Sequence, residues 1–448
     1  MNLMSANLQI CDWTDYQKNA ASLADYVEQG GAVNPFAFIL LNHSVRRQLK
    51  CAHAFSQARF PPKPETMWNG KIYNHDRIRI AYLSNDFRVH ATSHLAVGLF
   101  ELHDRAKFEI TALSFGSDDK SLLRERVRNA FDRFVDVSEM NDADVARLVT
   151  SLEIGIAVDL HGHTSGARTS VFAHRPAPIQ VNYLGYPGTM GAAYIDYIIG
   201  DHFVTPEEHD DFYSEKIVRL PHTYQATDQK REIGKTPSSR SAVGLPEQGF
   251  VFCSFNDNRK ITPDVFYVWM SLLRRVEGSV LWLLEKNATA TANLRSHAEL
   301  RGVAADRLVF APKISSREHL ARHTLADLCL DTAPYNGHTT TSDALWASVP
   351  VITCPGETFA SRVAGSVLHA VGLPELVVDS WRAYEDLAYH FATTPNSSIE
   401  LRQKLERNRT TYPLFDSGRF CRNIEAAYVG MWQQFQRGGP PESFAVDC

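Results

Sequence analysis

Apolar positions along this chain change their spacing near residue 77. Before it, Trp13, Tyr16, Leu23 and Tyr26 fall at helix-like intervals, so residues 1–60 read as helical. PPKPE, Pro61 to Glu65, breaks that pattern and reads as a linker. From Arg77 short apolar runs alternate with amphipathic ones. RIRIAYLS predicts a strand and SHLAVGLFELH a helix capped by Ser93; FEITALSF and LLRERVRNAFDRF repeat the pair. NDADVARLVTSLE predicts a third helix and IGIAVDLHG a third strand, with further strands at IQVNYLGYPG, YIIGD and KIVRLP. Such alternation implies parallel sheets of α/β type.

Residues 226–248 are polar and rich in Gly, Pro and Ser, which places a domain boundary there. The alternation then restarts. FVFCSFN, SVLWLLE, RLVFAP, LCLDT and PVITCPG predict strands. Helices are expected over TPDVFYVWMSLLRRV, Ala292–Arg301, REHLARHTLADL, residues 340–348 and from Ser361, with ELVVDS closing the series. Ser417 to Phe435 reads as one amphipathic helix. The expected division is therefore 1–65 (helices and linker), 66–235 and 236–412 (two Rossmann-like domains) and 413–448 (helix and tail). Two doubly wound α/β domains are expected to face each other across a cleft, with ligands outside the carboxyl ends of the strands.

Composition narrows the class. The 448 residues are 44% hydrophobic and 22% charged, ordinary for a globular protein, and the net charge of −5 gives no basic field for nucleic acid. Seven cysteines (Cys11, Cys51, Cys253, Cys329, Cys354, Cys421, Cys448) show no C-x-x-C, which favours reduced thiols and a cytoplasmic location. No apolar run approaches the ~18 residues that span a bilayer, so no membrane partner is expected.

Candidate chemistry collects at predicted strand ends. LDTAPYNGHTTTSD, residues 330–343, runs from a strand through a Gly-containing loop into a helix start, a geometry that aims backbone N–H groups and the positive helix end at one spot. His338 and the hydroxyls of Thr339, Thr340 and Thr341 join them, with Asp343 one turn in, which suits a diphosphate and a sugar hydroxyl. Thr340-x-x-Asp343 is equally an ordinary capping box, and no Gly-Lys-Ser/Thr of a Walker loop follows. SNDFRVHATSH offers Asp86, His90, Thr92 and His94 in one loop, unless the residues there only cap the next helix. In DLHGHTSGAR, His161-x-His163 resembles a metal pair without a further ligand set, so a polar turn is expected, with Arg168 available to an anion or a carboxylate. RPAPIQVNYLGYPGTMGA places Gly185, Pro187, Gly188 and Gly191 where backbone approaches a ligand closely. FNDNRKITPD carries Asn256 and Lys260, a phosphate clamp or a solvated lysine, and His319 in REHL is placed to stack on a base or to cover the sheet edge.

These blocks resemble a known family. RPAPIQVNYLGYPGTMGAAYIDYII, SNDFRVHATSH, FNDNRKITP, REHL and YNGHTTTSDALWASVPVIT are similar to the catalytic region of the O-GlcNAc transferases, and CDWTDY to the segment that follows their tetratricopeptide repeats. The resemblance covers nearly the whole chain. It implies a GT-B architecture and an inverting, metal-independent transfer of a sugar, GlcNAc from UDP-GlcNAc, to Ser or Thr of a protein, with no cofactor. Residues 66–235 would be the acceptor side and 236–412 the nucleotide-sugar side. By the same resemblance His90 is the active-site histidine and Lys260 the diphosphate lysine. His338, Thr339 and Thr340 hold phosphates, Asp343 the ribose, and His319 lies against the uracil; Asn256 joins the donor site. Leu184, Gly185 and Pro187 form the wall near the sugar, and Asp86, Thr92 and Arg168 line the same cleft. The chain departs from animal members at Phe36 (a histidine there), Ser316 (a lysine) and Asp257-Asn258-Arg259 (Gln-Leu-Tyr). A transferase using another nucleotide sugar or a non-protein acceptor, and an inactive nucleotide-sugar-binding protein, are the alternatives.

Overall fold

The computed structural model describes residues 3–447; Met1, Asn2 and Cys448, which belong to the first and last expected segments, lie outside the described residues. Thirteen strands are present among the described residues. β1 to β7 are Ile78–Ser84, Phe108–Ser114, Arg133–Asp136, Ile156–Asp159, Ile179–Asn182, Tyr197–Asp201 and Lys216–Leu220. β8 to β12 are Val251–Ser254, Val280–Leu284, Leu308–Ala311, Leu328–Leu330 and Val351–Ile352, and β13 is Phe444–Ala445. They form an eight-stranded sheet in the order β13-β7-β6-β5-β4-β1-β2-β3 and a five-stranded sheet in the order β10-β9-β8-β11-β12. All ladder pairings between these strands are parallel. Helices cover such sheets on both faces, so central strands such as β4 and β8 are buried throughout and read as continuous apolar runs. Both units are α/β and doubly wound.

In each sheet the strand order reverses once, between β1 and β4 in the first and between β8 and β11 in the second. The loops leaving the carboxyl ends of these four strands diverge, and the space between them is where such sheets place ligands. The chain divides into two compact units, one of residues up to Leu23 with Arg231–Tyr412, the other of Ala24–Lys230 with residues from Pro413 on.

Several elements differ from expectation. No separate segment spans 1–65. The turn after the first helix gives the carbonyls of Gln9 and Ile10 to Asn258, Asn287 and Asn293, and Trp13 stacks on His297 at 4.4 Å, which ties it to the five-stranded sheet's unit. The helix Val45–Arg59 instead packs on the other unit, where Ser56 Oγ donates to Met190 O at 2.7 Å and His53 Nδ1 lies 3.0 Å from Gly191 O. LLRERVRNAFDRF is not one helix: Leu122–Asn129 is helical, and Arg133–Asp136 becomes edge strand β3 against β2. Phe131 and Phe134 fit the helical period but pack on Phe87, which decides for the strand. Ser93 does not cap its helix, which runs Ala91–Leu102 with His90 as the cap residue. ELVVDS provides a 3-10 turn, Pro374–Leu376, and a single bridge from Val377 to Thr353. Helices Trp381–Thr393 and Ser397–Asn408 and strand β13 have no counterpart in the sequence reading.

The loop at residues 189–191 anchors helix Val45–Arg59. Glu215 receives the Met190 N–H at 2.5 Å and the Thr189 hydroxyl at 2.7 Å. Gly191 has φ +60°, and a Cβ there would fall 2.3 Å from Ala52 C and His53 N. Gly191→Ala is therefore expected to destabilise the chain by roughly 1–3 kcal/mol, the usual range for overpacking. A thermal unfolding midpoint equal to that of the wild type would show that helix and loop are not in this contact.

Candidate functional site

The first group forms at the β1/β4 reversal. The chain leaves β1 through Ser84, whose hydroxyl accepts the Asp86 N–H at 2.9 Å, and this turns the Asp86 carboxylate inward. Its Oδ2 lies 3.1 Å from His90 Nδ1 and 3.1 Å from His161 Nε2, while Arg88 Nη2 approaches Oδ1 at 3.4 Å. His161 stands just past β4, where Asp159 Oδ1 accepts its N–H at 2.8 Å and that of Gly162 at 3.1 Å. Asp86 and His161 are buried and His90 is exposed, so the pair presents His90 outward. Burial alone would raise the Asp86 pKa, but the His161 hydrogen bond and the neighbouring positive charges hold it below the usual carboxylate value. Although its side chain is 42% exposed, partial desolvation of the ring against the loop keeps the His90 imidazole below its usual pKa against the pull of Asp86. A histidine held at one nitrogen by a carboxylate offers the other as a proton acceptor.

The turn after β5 borders this group. Leu184 has φ +68°, and a Cβ on Gly185 would lie 1.9 Å from Leu160 O and 3.1 Å from His161 Cα. Only glycine lets this turn sit on the β4 loop, and Pro187 follows it, buried. Thr92 is buried in the first helical turn, its N–H on His90 Nδ1 at 3.3 Å. Arg168 is committed elsewhere: it pairs with Asp142 at 2.5 Å and donates to the carbonyls of Val137 and Met140, so of its two expected partners it has the carboxylate. His161 and His163 do not act as a pair. His163 lies 2.8 Å from Met190 O, and burial pushes its pKa down to about 4. Among the described residues, one group of three side chains is spaced to offer metal-ligand atoms: His103, Cys421 and Glu425, all within 4.8 Å of one another. Those atoms already bond each other and Tyr82. His103 follows the far end of the helix that starts at Ala91, so this cluster is not at the strand reversal.

The second group forms at the β8/β11 reversal. Asn256 follows β8, and Lys260 ends the 3-10 turn Asn258–Lys260. After β11 the loop enters helix Thr339–Trp346, whose cap residue His338 makes no side-chain capping bond. The capping box allowed by Thr340-x-x-Asp343 is absent. Thr340 Oγ1 donates instead to Asn256 Oδ1 at 2.7 Å, and Asp343 pairs with Arg231 at 2.6 Å. The first-turn N–H groups of this helix thus keep the orphan character that attracts anions. A Cβ on Gly337 would fall 2.6 and 2.7 Å from the hydroxyls of Thr341 and Thr340, so glycine is what admits them. Lys260 Nζ donates to Asn336 O at 2.7 Å and stands 4.0 Å from the centre of the Tyr335 ring. Burial lowers the Lys260 pKa well below the lysine range, although Asp331 and Asp257 pull the other way.

Burial presses three histidines around this reversal towards their neutral forms. Burial and the Lys260 charge press His338 well down; it stacks on Tyr335 at 4.6 Å with Nε2 3.2 Å from Ala360 O. Burial pushes His319 to about 2 and His323 to about 4. Arg322 donates to His319 Nδ1 at 2.6 Å, and both rings stand edge-on to Phe255. The structure therefore brings Asn256, Lys260, His338, Thr339, Thr340 and Asp343 to one strand reversal, and Asp86, Thr92, His90 and the 184–187 turn to the other. Asp331, Tyr335, Arg231 and His161 had no place in the expected sites. Asp159 and Asp331, both acids at strand ends, were the available signal.

The glycosyl transferase family 41 model matches residues 10–236 and 226–424. The chain belongs to that family. This family 41 chain is 37% identical to a probable UDP-N-acetylglucosamine–peptide N-acetylglucosaminyltransferase, SEC, of Arabidopsis thaliana over 98% of its own length and 47% of that protein's. It is 28% identical to a UDP-N-acetylglucosamine–peptide N-acetylglucosaminyltransferase of Caenorhabditis elegans, over 96% of this chain and 48% of that one. It thus spans about half the length of these relatives. A mutant O-GlcNAc transferase from Thermobaculum terrenum superposes with a TM-score of 0.84 at 28% identity, covering 96% of this chain and 83% of that one. The fold class is accordingly α/β of GT-B type, as expected. Among the described residues no helix is long and apolar enough to cross a membrane.

Lys260 gives the seat a pH signature. An anion bound beside it restores the charged form, so the bound-state pKa exceeds the depressed free one, and binding takes up protons between them. Affinity for UDP or inorganic pyrophosphate should fall as pH rises from neutral towards the ordinary lysine value of about 10.4. Calorimetry at pH 8 in buffers of different ionisation enthalpy should record the uptake. Constant affinity with no proton uptake would remove Lys260 from the seat.

Proposed function

We propose that this chain is an inverting, metal-independent glycosyltransferase that moves GlcNAc from UDP-GlcNAc to Ser or Thr hydroxyls of proteins. The observation that carries the reading is the uncapped helix start at Thr339 facing the same strand reversal as Lys260. There, first-turn N–H groups and a lysine converge on a place fit for a diphosphate. Membership of family 41 and the activities of the Arabidopsis thaliana and Caenorhabditis elegans relatives support the same donor and acceptor classes.

In this mechanism the acceptor oxygen attacks the anomeric carbon on the face opposite the nucleotide, forming the new C–O bond as the bond to the diphosphate breaks. The electron pair leaves on UDP. Lys260 and the N–H groups of Thr339, Thr340 and Thr341 meet that growing charge, which gives the work of a cation to the protein's own groups. His90, held through Nδ1 by Asp86, receives the hydroxyl proton at Nε2. His319 and Phe255 offer ring surface for the base, and Asp343, already fixed by Arg231, offers its remaining oxygen to the ribose.

The test is intact-mass detection of HexNAc on acceptor proteins and peptides after incubation with a panel of nucleotide sugars, with and without chelator. Transfer from UDP-GlcNAc that survives chelation is expected. Transfer only from another donor, or tight UDP binding without turnover, would favour the alternatives and end this reading.

Two variants report on the roles. Lys260→Ala should lower kcat by roughly 10²–10³ with the fold retained, because its partner charge grows in the transition state. His90→Ala should lose about 10²–10⁴ in transfer while UDP affinity holds, since His90 and the phosphate seat belong to different compact units. Collapse of UDP binding in the His90 variant would assign that residue to the donor site instead.

A further inference from the structure

We infer that His161 is a positioning residue for His90, competing with it for the single oxygen Oδ2 of Asp86 and so selecting which nitrogen of His90 carries the hydrogen. The inference rests on the transferase reading only for its consequence in turnover; the geometry stands apart from it.

Both imidazoles face the carboxylate in the same way. His90 Nδ1 has Asp86 Oδ2 at 3.1 Å and the Thr92 N–H at 3.3 Å. His161 Nε2 has the same Oδ2 at 3.1 Å and the Asn85 N–H at 3.0 Å. An amide N–H asks each nitrogen for a lone pair, and the carboxylate asks it for a proton, so neither nitrogen satisfies both neighbours at once. The other nitrogen of His161 is already assigned. Thr164 Oγ1 gives its hydrogen to His161 O at 2.9 Å and therefore accepts from His161 Nδ1, also at 2.9 Å. With that hydrogen on Nδ1, His161 keeps a bare Nε2 for Asn85 and leaves Asp86 to His90, whose Nδ1 holds the hydrogen and whose Nε2 is bare. A hydrogen on His161 Nε2 instead takes Oδ2 and releases His90 to accept from Thr92, which moves the His90 hydrogen to Nε2 and ends its use as a base. The side chains of His161 and Asp86 are only 2% and 7% exposed, so water does not relieve the competition.

The other charged groups nearby do not duplicate this contact. Arg88 approaches the opposite oxygen, Oδ1, at 3.4 Å. Asp159 meets the N–H groups of His161 and Gly162 through Oδ1 and makes no contact with the His161 ring nitrogens, and Asp119 accepts the Val89 N–H at 2.7 Å. Arg124 donates to Phe87 O at 2.8 Å, Arg168 lies over the far ring of Phe115, and His94 stands one turn along the helix from His90. Consistent with the competition, Asp86 draws the His90 pKa upward while His161 adds to its depression by burial.

Two substitutions at His161 pull in opposite directions. His161→Gln puts a permanent uncharged N–H donor beside Asp86, and His161→Leu removes the competitor. The probe is histidine-ring nitrogen NMR of the whole chain, with the pH profile of kcat/KM as the second readout. His161→Leu should raise the His90 pKa, keep its hydrogen on Nδ1 and move the acid limb of the profile to higher pH. His161→Gln should lower that pKa, enrich the Nε2–H tautomer and slow transfer, and in an Asp86→Asn background the two variants should behave alike. A His90 titration unchanged in the glutamine variant, or moved the same way by both, overturns the inference; if the leucine variant does not fold, the glutamine variant decides by itself. A wild-type chain without transferase activity would defeat the proposed function, and the NMR titration would still judge this one.

Discussion

Asp331 holds the loop between β11 and helix Thr339–Trp346 in shape. Its Oδ1 accepts the Gly337 N–H at 2.6 Å and its Oδ2 the Thr353 hydroxyl at 2.6 Å, while its backbone carbonyl receives the Tyr384 hydroxyl at 3.0 Å. The carboxylate thus ties the loop before helix Thr339–Trp346 to the residue after β12, and the backbone carbonyl ties it to helix Trp381–Thr393. A buried carboxylate is costly unless it is paired, and burial here raises the Asp331 pKa despite these bonds and the charge of Lys260. The lysine is pressed down and the acid up. The hydrogen bonds from Thr353, Gly337 and Thr332 favour the Asp331 carboxylate more than the lysine does. Asp331 is the main charge favouring the Lys260 cation, and an anion bound beside that lysine would favour its cation further.

Much of this was legible because local signals were strong. Continuous apolar runs marked the buried parallel strands, and strand–loop–helix junctions with glycine marked the places where backbone donors converge. Asn256, Lys260, Thr340 and Asp343 were visible for that reason. Their partners were not. Arg231 meets Asp343 from 112 positions away and His161 meets Asp86 from 75 positions away, distances no local pattern spans. Thr340-x-x-Asp343 was readable as a cap or as a seat, and the choice turned on Asn256 and Arg231, which take the two side chains a capping box would need.

The misread elements share a cause. Leu122, Val127, Phe131 and Phe134 satisfy a helical period, yet β2 leaves an open edge that Arg133–Asp136 fills; pairing to a sheet outweighs a few tenths of a kcal/mol of propensity per residue. Residues 1–65 look autonomous in sequence because PPKPE follows them, but Trp13 and the turn beside it give stacking and carbonyls to one unit while helix Val45–Arg59 gives Ser56 and His53 to the other. Arg168 was read as available because it ends a polar turn. Its guanidinium instead closes the start of helix Asp142–Ser151, binding Asp142 and the carbonyls just before it.

The two strand reversals are specialised by how they treat charge. Around the phosphate seat, burial keeps His319, His323 and His338 neutral, so the positive charge available to an anion comes from Lys260 and from a helix end that does not titrate. At the other reversal the carboxylate is the fixed charge, and two imidazoles share its Oδ2. In the proposed mechanism a seat for a leaving diphosphate gains from the helix end, whose charge does not depend on proton exchange, and from a lysine whose cation the bound anion itself favours. A site that receives the acceptor's proton requires the reverse, a group whose proton is loosely held and whose orientation is tightly held. In the proposed mechanism Asp86 would supply the orientation and His90 the exchange, and the sheet topology keeps the two groups on separate units.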